Sequence, residues 1–356
     1  MPSIEGGGVE KNLFLVSNYL VKKIDKVSII TISKKYKNRF HGSIEFISLA
    51  SSYWDNLSRR LKYLLAIFLL IKEIIKNRNV LVFAFQANIY CIIICKLLFI
   101  KVIVRSNSAP AGWSQNRLKK VIFRFFLNLA DRVMVNSIEF KKDLKKEFNV
   151  NAVCIYNPLN HKDIINKSCR KSIKIFKSNN KLRILNIGRF VDQKDQITLL
   201  KALNIIKDYI KFEAVIIGKG ILKNNFINYI NKNNLNKSIK ILNFSNNPYP
   251  LIKQTNLFIL SSKFEGLPNV LLESLSLKKF IISSNCRTGP KEILLNGKGG
   301  LLFEVGNYKQ LAKKIIYYEK NKQACNLLLR NATDGMKRFD YEKNLQKYLN
   351  LLKKFI

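Results

Sequence analysis

The sequence predicts an α/β protein of two domains, each built around a parallel sheet. Three observations carry this. Short runs rich in β-branched residues alternate with helical patterns along the whole chain, which implies parallel sheets joined by right-handed crossovers. The runs fall into two series. A polar stretch rich in Lys, Ser and Asn, from about 160 to 181, separates them.

In the first series the expected strands are 27–33, 44–49, 80–85, 101–106, 132–136 and 152–156. A glycine loop (Glu5-Gly6-Gly7-Gly8) leads into a helix over about 9–22 ahead of them. The stretch 80–104 is the most apolar in the chain, but Gln86, Asn88, Lys96 and Lys101 interrupt it. Strand, helix and strand of a buried sheet fit it better than a membrane span. Cys91 and Cys95 share one face of that helix among apolar neighbours, as in a core. In the second series the expected strands are 182–187, 212–217, 239–244, 257–260, 280–284 and 300–303. The last segment, 331–356, reads as an amphipathic helix, with Tyr341, Leu345, Tyr348, Leu352 and Phe355 on one side at alternating spacings of four and three. The expected division is an N-terminal domain over 1–160, a linker region over 161–181, a second domain over 182–330 and a final helix over 331–356.

The 356 residues suffice for two domains of ordinary size. The charge is not ordinary: 63 Lys and Arg against 23 Asp and Glu give +40. Either the whole composition is biased, since Lys, Asn and Ile abound, or the protein meets an anionic surface. Membrane lipids and lipid diphosphates fit better than nucleic acid, because the basic residues are spread widely and no aromatic-plus-basic nucleic-acid motif is present. Six cysteines with no C-x-x-C pair, and His41 and His161 far apart, argue against a zinc site and for reduced thiols in a cytosolic protein. The start, Met1-Pro2-Ser3-Ile4, lacks the basic residues and apolar run of a secretory signal.

Chemistry concentrates in Ser261 to Glu273. Glu265 lies in a Gly/Pro loop straight after an apolar strand, and Glu273 follows eight residues later in the next helix. Strand, loop and helix N-terminus is the geometry that binds phosphates and polyols at the carboxyl edge of a parallel sheet. Pro268 suits a first helical turn, and the helix that starts there, after Gly266 and Leu267 and with Asn269 in its first turn, can aim free N–H groups and its positive dipole end at a diphosphate. The two carboxylates can grip hydroxyls at two points. The apolar neighbours of Glu273 argue that it is part-buried, which requires a partner. Upstream, Gly188 ends a buried strand and is followed by Arg189 and Lys194, a fork and a point charge suited to a diphosphate. Gly7 and Gly8 at the start of the first helix allow close approach of phosphate. Arg105, Ser106 and Asn107 end a first-domain strand on the edge expected to face the cleft where the acceptor enters, and Trp113 follows on the same acceptor side; it can stack on a sugar ring or serve as a core or rim aromatic.

These segments resemble the E-x7-E signature, the Gly-Arg…Lys loop (Gly188, Arg189, Lys194) and the Gly-Pro-x-Glu-Ile turn (Gly289 to Ile293) of GT-B glycosyltransferases of family 4, the polysaccharide branch in particular. The resemblance covers about 3–303. It implies two Rossmann-like domains facing each other across a cleft, with the final helix crossing back to brace the first. Members usually begin with a strand before the glycine loop; here only Pro2-Ser3-Ile4 precedes it, so an upstream start is expected, or else a sheet lacking that strand. The resemblance also implies roles. Arg189 and Lys194 would hold the donor diphosphate and Glu265 the donor-sugar hydroxyls. Glu273 would hold the ribose. The loops at Lys219–Gly220 and 243–247 would seat the base. The Asp195 that follows Lys194 departs from the usual Gly, and the His common at the end of the fourth strand is absent, where the chain reads Phe83-Ala84-Phe85-Gln86-Ala87-Asn88.

The function so implied is retaining transfer of a hexose or N-acetylhexosamine from a nucleotide diphosphate sugar, with UDP the expected nucleotide, to a lipid-linked or surface-glycan acceptor. No cofactor or metal is expected, since no D-x-D pair exists. A GT-B sugar-nucleotide epimerase, or a basic membrane or nucleic-acid binding protein, are the alternatives. The expected location is cytoplasmic, peripheral on the inner face of the cell membrane. The basic amphipathic segment 59–76 either binds that anionic surface or packs on the first sheet with its Lys and Arg in water.

Overall fold

The computed structural model describes residues 1–2, 4, 7–34, 36–49, 54, 57–107, 116–178 and 180–356, with the backbone alone at 59. The chain forms two compact units, Met1–Pro158 with Tyr341–Ile356, and Leu159–Asp340.

The first unit holds a short parallel pair, β1 (Ser28–Ile30) with β2 (Glu45–Ile47), and a four-stranded parallel sheet. That sheet runs β3 (Leu81–Ala84), β4 (Lys101–Arg105), β5 (Arg132–Val135), β6 (Ala152–Cys154) in spatial order. Its helices are α1 (Gly8–Leu20), α2 (Arg59–Lys76), α3 (Asn88–Leu97), α4 (Arg117–Leu129), α5 (Ile138–Phe148) and, from the end of the chain, α14 (Tyr341–Leu352). Alternation along the strands decides which helices cover which face. Val102, Val104, Val133 and Val135 bury against Ile74, Ile92, Leu127 and Phe140 of α2 to α5. Ile103 and Met134 point the other way, into a core with Leu13 and Phe14 of α1 and Leu345 and Tyr348 of α14. Side-chain oxygens start several helices: Ser137 Oγ accepts from Phe140 N at 3.0 Å and Asn116 Oδ1 from Leu118 N at 2.9 Å.

Ahead of the glycine loop, the Met1 amino group donates to the Ile30 carbonyl at 2.8 Å, and Ile32 N donates to the Pro2 carbonyl at 3.2 Å. Residues 1–2 therefore run beside β1, and Ile4 is buried in the same core.

The second unit is one six-stranded parallel sheet, built from α6 (His161–Ser168), β7 (Leu182–Ile187), α7 (Gln196–Ile206), β8 (Phe212–Ile217), α8 (Lys223–Lys232), β9 (Ile239–Leu242), α9 (Tyr249–Lys253), β10 (Leu257–Leu260), α10 (Asn269–Ser276), β11 (Phe280–Ser284), α11 (Pro290–Ile293), β12 (Leu301–Phe303), α12 (Tyr308–Lys320) and α13 (Lys322–Asp334). The spatial order is β12-β11-β10-β7-β8-β9. The chain winds outward from β7 to β9 and then returns to the other side of β7. The order thus reverses between β7 and β10. Ligands of open α/β sheets bind outside the carboxyl ends of strands at such a reversal.

Two stretches differ from expectation. The polar stretch 161–181 is not a loose connection: it begins with α6, buries Ile175 and Phe176, and donates from Lys177 N to Glu213 Oε2 at 2.7 Å. A few apolar anchors suffice to dock a polar segment. The final helix starts at Tyr341, not near 331. Residues 331–334 finish α13, and a short 3₁₀ turn at Gly335–Phe339 intervenes, pinned by Arg338 donating to the Glu292 carbonyl at 2.5 Å. The expected apolar seam is otherwise in place, with Leu345, Tyr348 and Leu352 buried.

Candidate active site

The loops after β7 and β10 lie side by side at the reversal point and are stitched together. Lys263 N donates to the Gln193 carbonyl at 2.8 Å, Gln193 Nε2 to the Phe264 carbonyl at 2.9 Å, and Ser261 Oγ to the Lys194 carbonyl at 3.0 Å. Lys263 Nζ and Asp192 Oδ1 pair at 2.6 Å. At the centre, Lys194 Nζ meets Glu265 Oε1 at 2.5 Å, and Ser262 Oγ donates to the same oxygen at 2.6 Å. The Glu265 side chain is buried, with only 8% exposed, and the Lys194 ammonium is the cation paired with it there. Arg189 sits at the exposed lip, donating to Gln193 Oε1 at 3.3 Å.

Asp195, in the place where the resembled loop carries Gly, adopts φ 46° and ψ 45°. That left-handed conformation explains the usual Gly, and Asp is among the side chains that tolerate it. Thr198 Oγ1 donates to its Oδ2 at 2.7 Å, while burial pushes the Asp195 carboxyl above the ordinary range.

Glu265 is followed by Gly266, Leu267 and Pro268, all buried, and α10 then starts at Asn269. Glu273 lies on α10 and is buried. The loop is held from behind by groups that sequence reasoning passed over. Thr288 Oγ1 donates to the Glu265 carbonyl at 2.6 Å, and Ser284 Oγ to the Ser262 carbonyl at 2.6 Å. Gly289 has φ +81°, and a Cβ there would stand 1.9 Å from the Gly266 carbonyl oxygen, so only glycine fits. Its place before Pro290 was the available signal. The Cys286 thiol is pushed up to about 12, by burial first and by the Glu265 charge second, and stays neutral beside the site.

The neighbouring strand ends complete this edge. Gly218 lets β8 approach β7: a Cβ there would lie 1.9 Å from the Gly188 carbonyl oxygen. Lys219 Nζ stands 5.3 Å from the centre of the Phe244 ring, and Lys223 Nζ donates to Asn243 Oδ1 at 2.9 Å. The second unit thus gathers Gly188, Arg189, Lys194, Lys219, Glu265 to Asn269 and Glu273 along one sheet edge and the helix that follows it. Cations, buried carboxylates and a helix start side by side can hold a diphosphate next to a polyol. Among the described residues, no group of three or more His, Cys, Asp or Glu is placed to hold a metal ion.

The first-unit expectations fare differently. Gly7 precedes α1 and Gly8 begins it, but Glu10 folds back: its Oε2 would lie 2.8 Å from a Cβ on Gly7. A carboxylate of this chain therefore already stands against that glycine. Arg105, expected on the acceptor side, is turned into the core of the first unit. It is fully buried: its Nε donates to Tyr348 Oη at 3.1 Å, one terminal nitrogen to Asn157 Oδ1 at 2.6 Å and the other to Asn107 Oδ1. Asn107 in turn donates to the Phe85 carbonyl at 2.7 Å. Arg105 ties α14 to the sheet, a role set by contacts far away in sequence. Arg105→Leu is expected to destabilise the protein by roughly 2–4 kcal/mol, since it strands buried acceptors. Denaturant unfolding checks this; an unchanged midpoint contradicts it. Trp113 lies outside the described residues.

Comparison with known proteins is consistent along the chain. The model of the family "Glycosyl transferases group 1" matches residues 170–334, and that of "Glycosyltransferase Family 4" matches 6–163. An uncharacterized glycosyltransferase of Methanocaldococcus jannaschii is 32% identical over 53% of this chain and 48% of its own length. The N-acetylgalactosamine-N,N'-diacetylbacillosaminyl-diphospho-undecaprenol 4-alpha-N-acetylgalactosaminyltransferase of Campylobacter jejuni is 27% identical over 58% of this chain and 57% of its own length. This chain thus spans about half the length of these two relatives. The crystal structure of Anabaena HepE in complex with UDP superposes with a TM-score of 0.76 at 16% identity, covering 99% of this chain and 98% of that one.

Proposed function

Because this chain belongs to the GT-B glycosyltransferases of the family 4 type, we propose that it moves a hexose or N-acetylhexosamine, with retention of configuration, from a nucleotide diphosphate sugar to a lipid-linked or surface-glycan acceptor. The observation that carries this reading is the Lys194–Glu265 pair, 2.5 Å apart at the sheet reversal. Lys194 and Arg189 bind the diphosphate, with the N–H groups at the start of α10. Glu265 takes sugar hydroxyls, Glu273 the ribose, and the loops at Lys219 and Asn243 seat the base. In the reaction the bond from the anomeric carbon to the phosphate oxygen breaks and one to the acceptor oxygen forms on the same face. The acceptor proton passes to the departing phosphate, and the cations stabilise the negative charge that develops there.

The name of the Campylobacter relative, which contains a diphospho-undecaprenol-linked saccharide, supports a lipid-linked acceptor. The UDP in the HepE structure makes a uridine nucleotide the first donor to test. A lipid acceptor puts the protein at the inner face of the cell membrane, on an anionic surface. Among the described residues no helix is long and apolar enough to cross a membrane. A basic binding protein would leave the buried Glu265 and its lysine without a purpose.

The test is transfer of label from a panel of nucleotide sugars to an undecaprenyl-diphosphate-linked saccharide. One donor is expected to support transfer; hydrolysis or epimerisation without an acceptor would overturn the reading. With protein cations serving the diphosphate, transfer is expected to survive EDTA. Activity lost with chelator and restored by Mg²⁺ or Mn²⁺ would refute the metal-free account.

A further inference from the structure

We infer that the outer surface of the helical layer α2–α4, and α4 above all, docks the protein on an anionic lipid surface. Helix α4 is the sharpest case. Leu118, Val121, Ile122, Phe125 and Leu129 recur at spacings of three and four on one stripe and are 40–75% exposed. The opposite side of the helix does the packing: Leu127 is buried, Phe123 packs on the same core, and Lys120 Nζ lies 3.8 Å from Glu147 Oε2. The orientation of α4 is therefore anchored, and its apolar stripe is outward by construction.

Large apolar side chains scattered singly over a surface need no explanation, but a contiguous patch does. Helices α2 and α3 pack together, as do α3 and α4. Helix α2 adds exposed Leu64 and Phe68, and Phe99, at the turn after α3, is 94% exposed with a left-handed φ of 59°. More than half of the exposed large hydrophobic side chains among the described residues fall between Leu61 and Leu129.

Charge selects the occupant. From 59 to 129 the chain carries thirteen Lys and Arg against one acidic residue, Glu73. Helix α4 has no acidic residue, and Arg117, Lys119 and Arg124 are exposed beside its apolar stripe. An apolar stripe rimmed by cations is complementary to a bilayer interface bearing anionic headgroups: the stripe enters the acyl boundary while the cations stay with the headgroups. The 59–76 segment noted in the sequence contributes as the neighbour of α4: Ala66, Leu69, Leu70 and Ile74 are buried, while Leu61, Leu64, Phe68 and Ile75 are exposed.

The purpose of docking rests on the lipid-linked acceptor proposed above, but the docking does not. Flotation of the whole protein with phosphatidylglycerol vesicles, and with phosphatidylcholine vesicles, tests it without any sugar donor. Wild type is expected to float with the anionic vesicles and less with neutral ones. Val121→Glu combined with Phe125→Glu is expected to lower the bound fraction about tenfold or more. Arg117→Glu combined with Arg124→Glu should do the same and remove most of the salt sensitivity. A melting temperature equal to wild type confirms that these outward positions leave the fold intact. Equal flotation of wild type with both lipids, or of the Val121/Phe125 variant with wild type, overturns the inference. So does light scattering that shows a dimer split by that variant while no vesicles are bound; the face would then join two copies. If flotation holds while transfer to a lipid-linked acceptor fails, the docking stands and the acceptor reading falls.

Discussion

Glu265→Ala or Arg189→Ala is expected to lower sugar transfer about a hundredfold or more, the scale of losing one preorganised charge partner of a transition state. The two variants reach that result by different routes. Arg189 is at the exposed lip, so its removal should leave the unfolding midpoint unchanged and act on the diphosphate alone. Glu265 is buried and paired, so its removal also frees Lys194 Nζ from its 2.5 Å partner. That costs stability of roughly 1–3 kcal/mol, because a part-buried ammonium loses its counter-charge. Glu265→Gln keeps the shape and an oxygen for Ser262 while removing the charge, and should fall between wild type and alanine in stability. Transfer by Arg189→Ala or Glu265→Ala within a few-fold of wild type, measured with labelled donor, would sink the assignment.

Gly289→Ala is expected to have the largest effect of any single methyl group added near the site. Two penalties coincide there. The backbone has φ +81°, and the new Cβ would stand 1.9 Å from the Gly266 carbonyl oxygen. The loop from Glu265 to Pro268 must move to admit it. Stability should drop by roughly 2–4 kcal/mol, and KM for the donor should rise about tenfold or more. Gly306 offers the matched control. Its φ is +77°, but nothing lies within 4 Å of where its Cβ would go. Gly306→Ala should cost only the backbone term, about 1 kcal/mol, and leave KM alone. Equal effects of the two substitutions on KM would show that the Gly289–Gly266 approach does not shape the donor site.

Much of this architecture was legible because parallel strands buried on both faces leave unbroken β-branched runs. All the expected strand segments contain a strand, although β1 narrows to Ser28–Ile30. Glu273 could be judged buried from Val270, Leu271, Leu272 and Leu275 around it, and it is. What the chain hid depends on contacts between distant residues. Arg105 looked like a polar residue at a cleft-facing strand end, yet its burial rests on Tyr348, 243 positions away. Gly289 reads as an ordinary turn until Gly266 is seen against it. The boundary between α13 and α14 was blurred because apolar spacing continues through it, while the break is made by a 3₁₀ turn that buries Phe339. The α4 stripe was passed over because periodicity announces an apolar face without saying which side meets the sheet.

The central claim is that the strand ends around Gly188 and Glu265 hold a nucleoside diphosphate. Calorimetric titration of UDP, GDP and ADP into the purified protein tests it most directly. The account predicts saturable binding of at least one of them, one molecule per chain, weakened about tenfold or more by Arg189→Ala. It also predicts no change for Val121→Glu with Phe125→Glu. Binding of none of the three, or binding that Arg189→Ala leaves untouched, would contradict it.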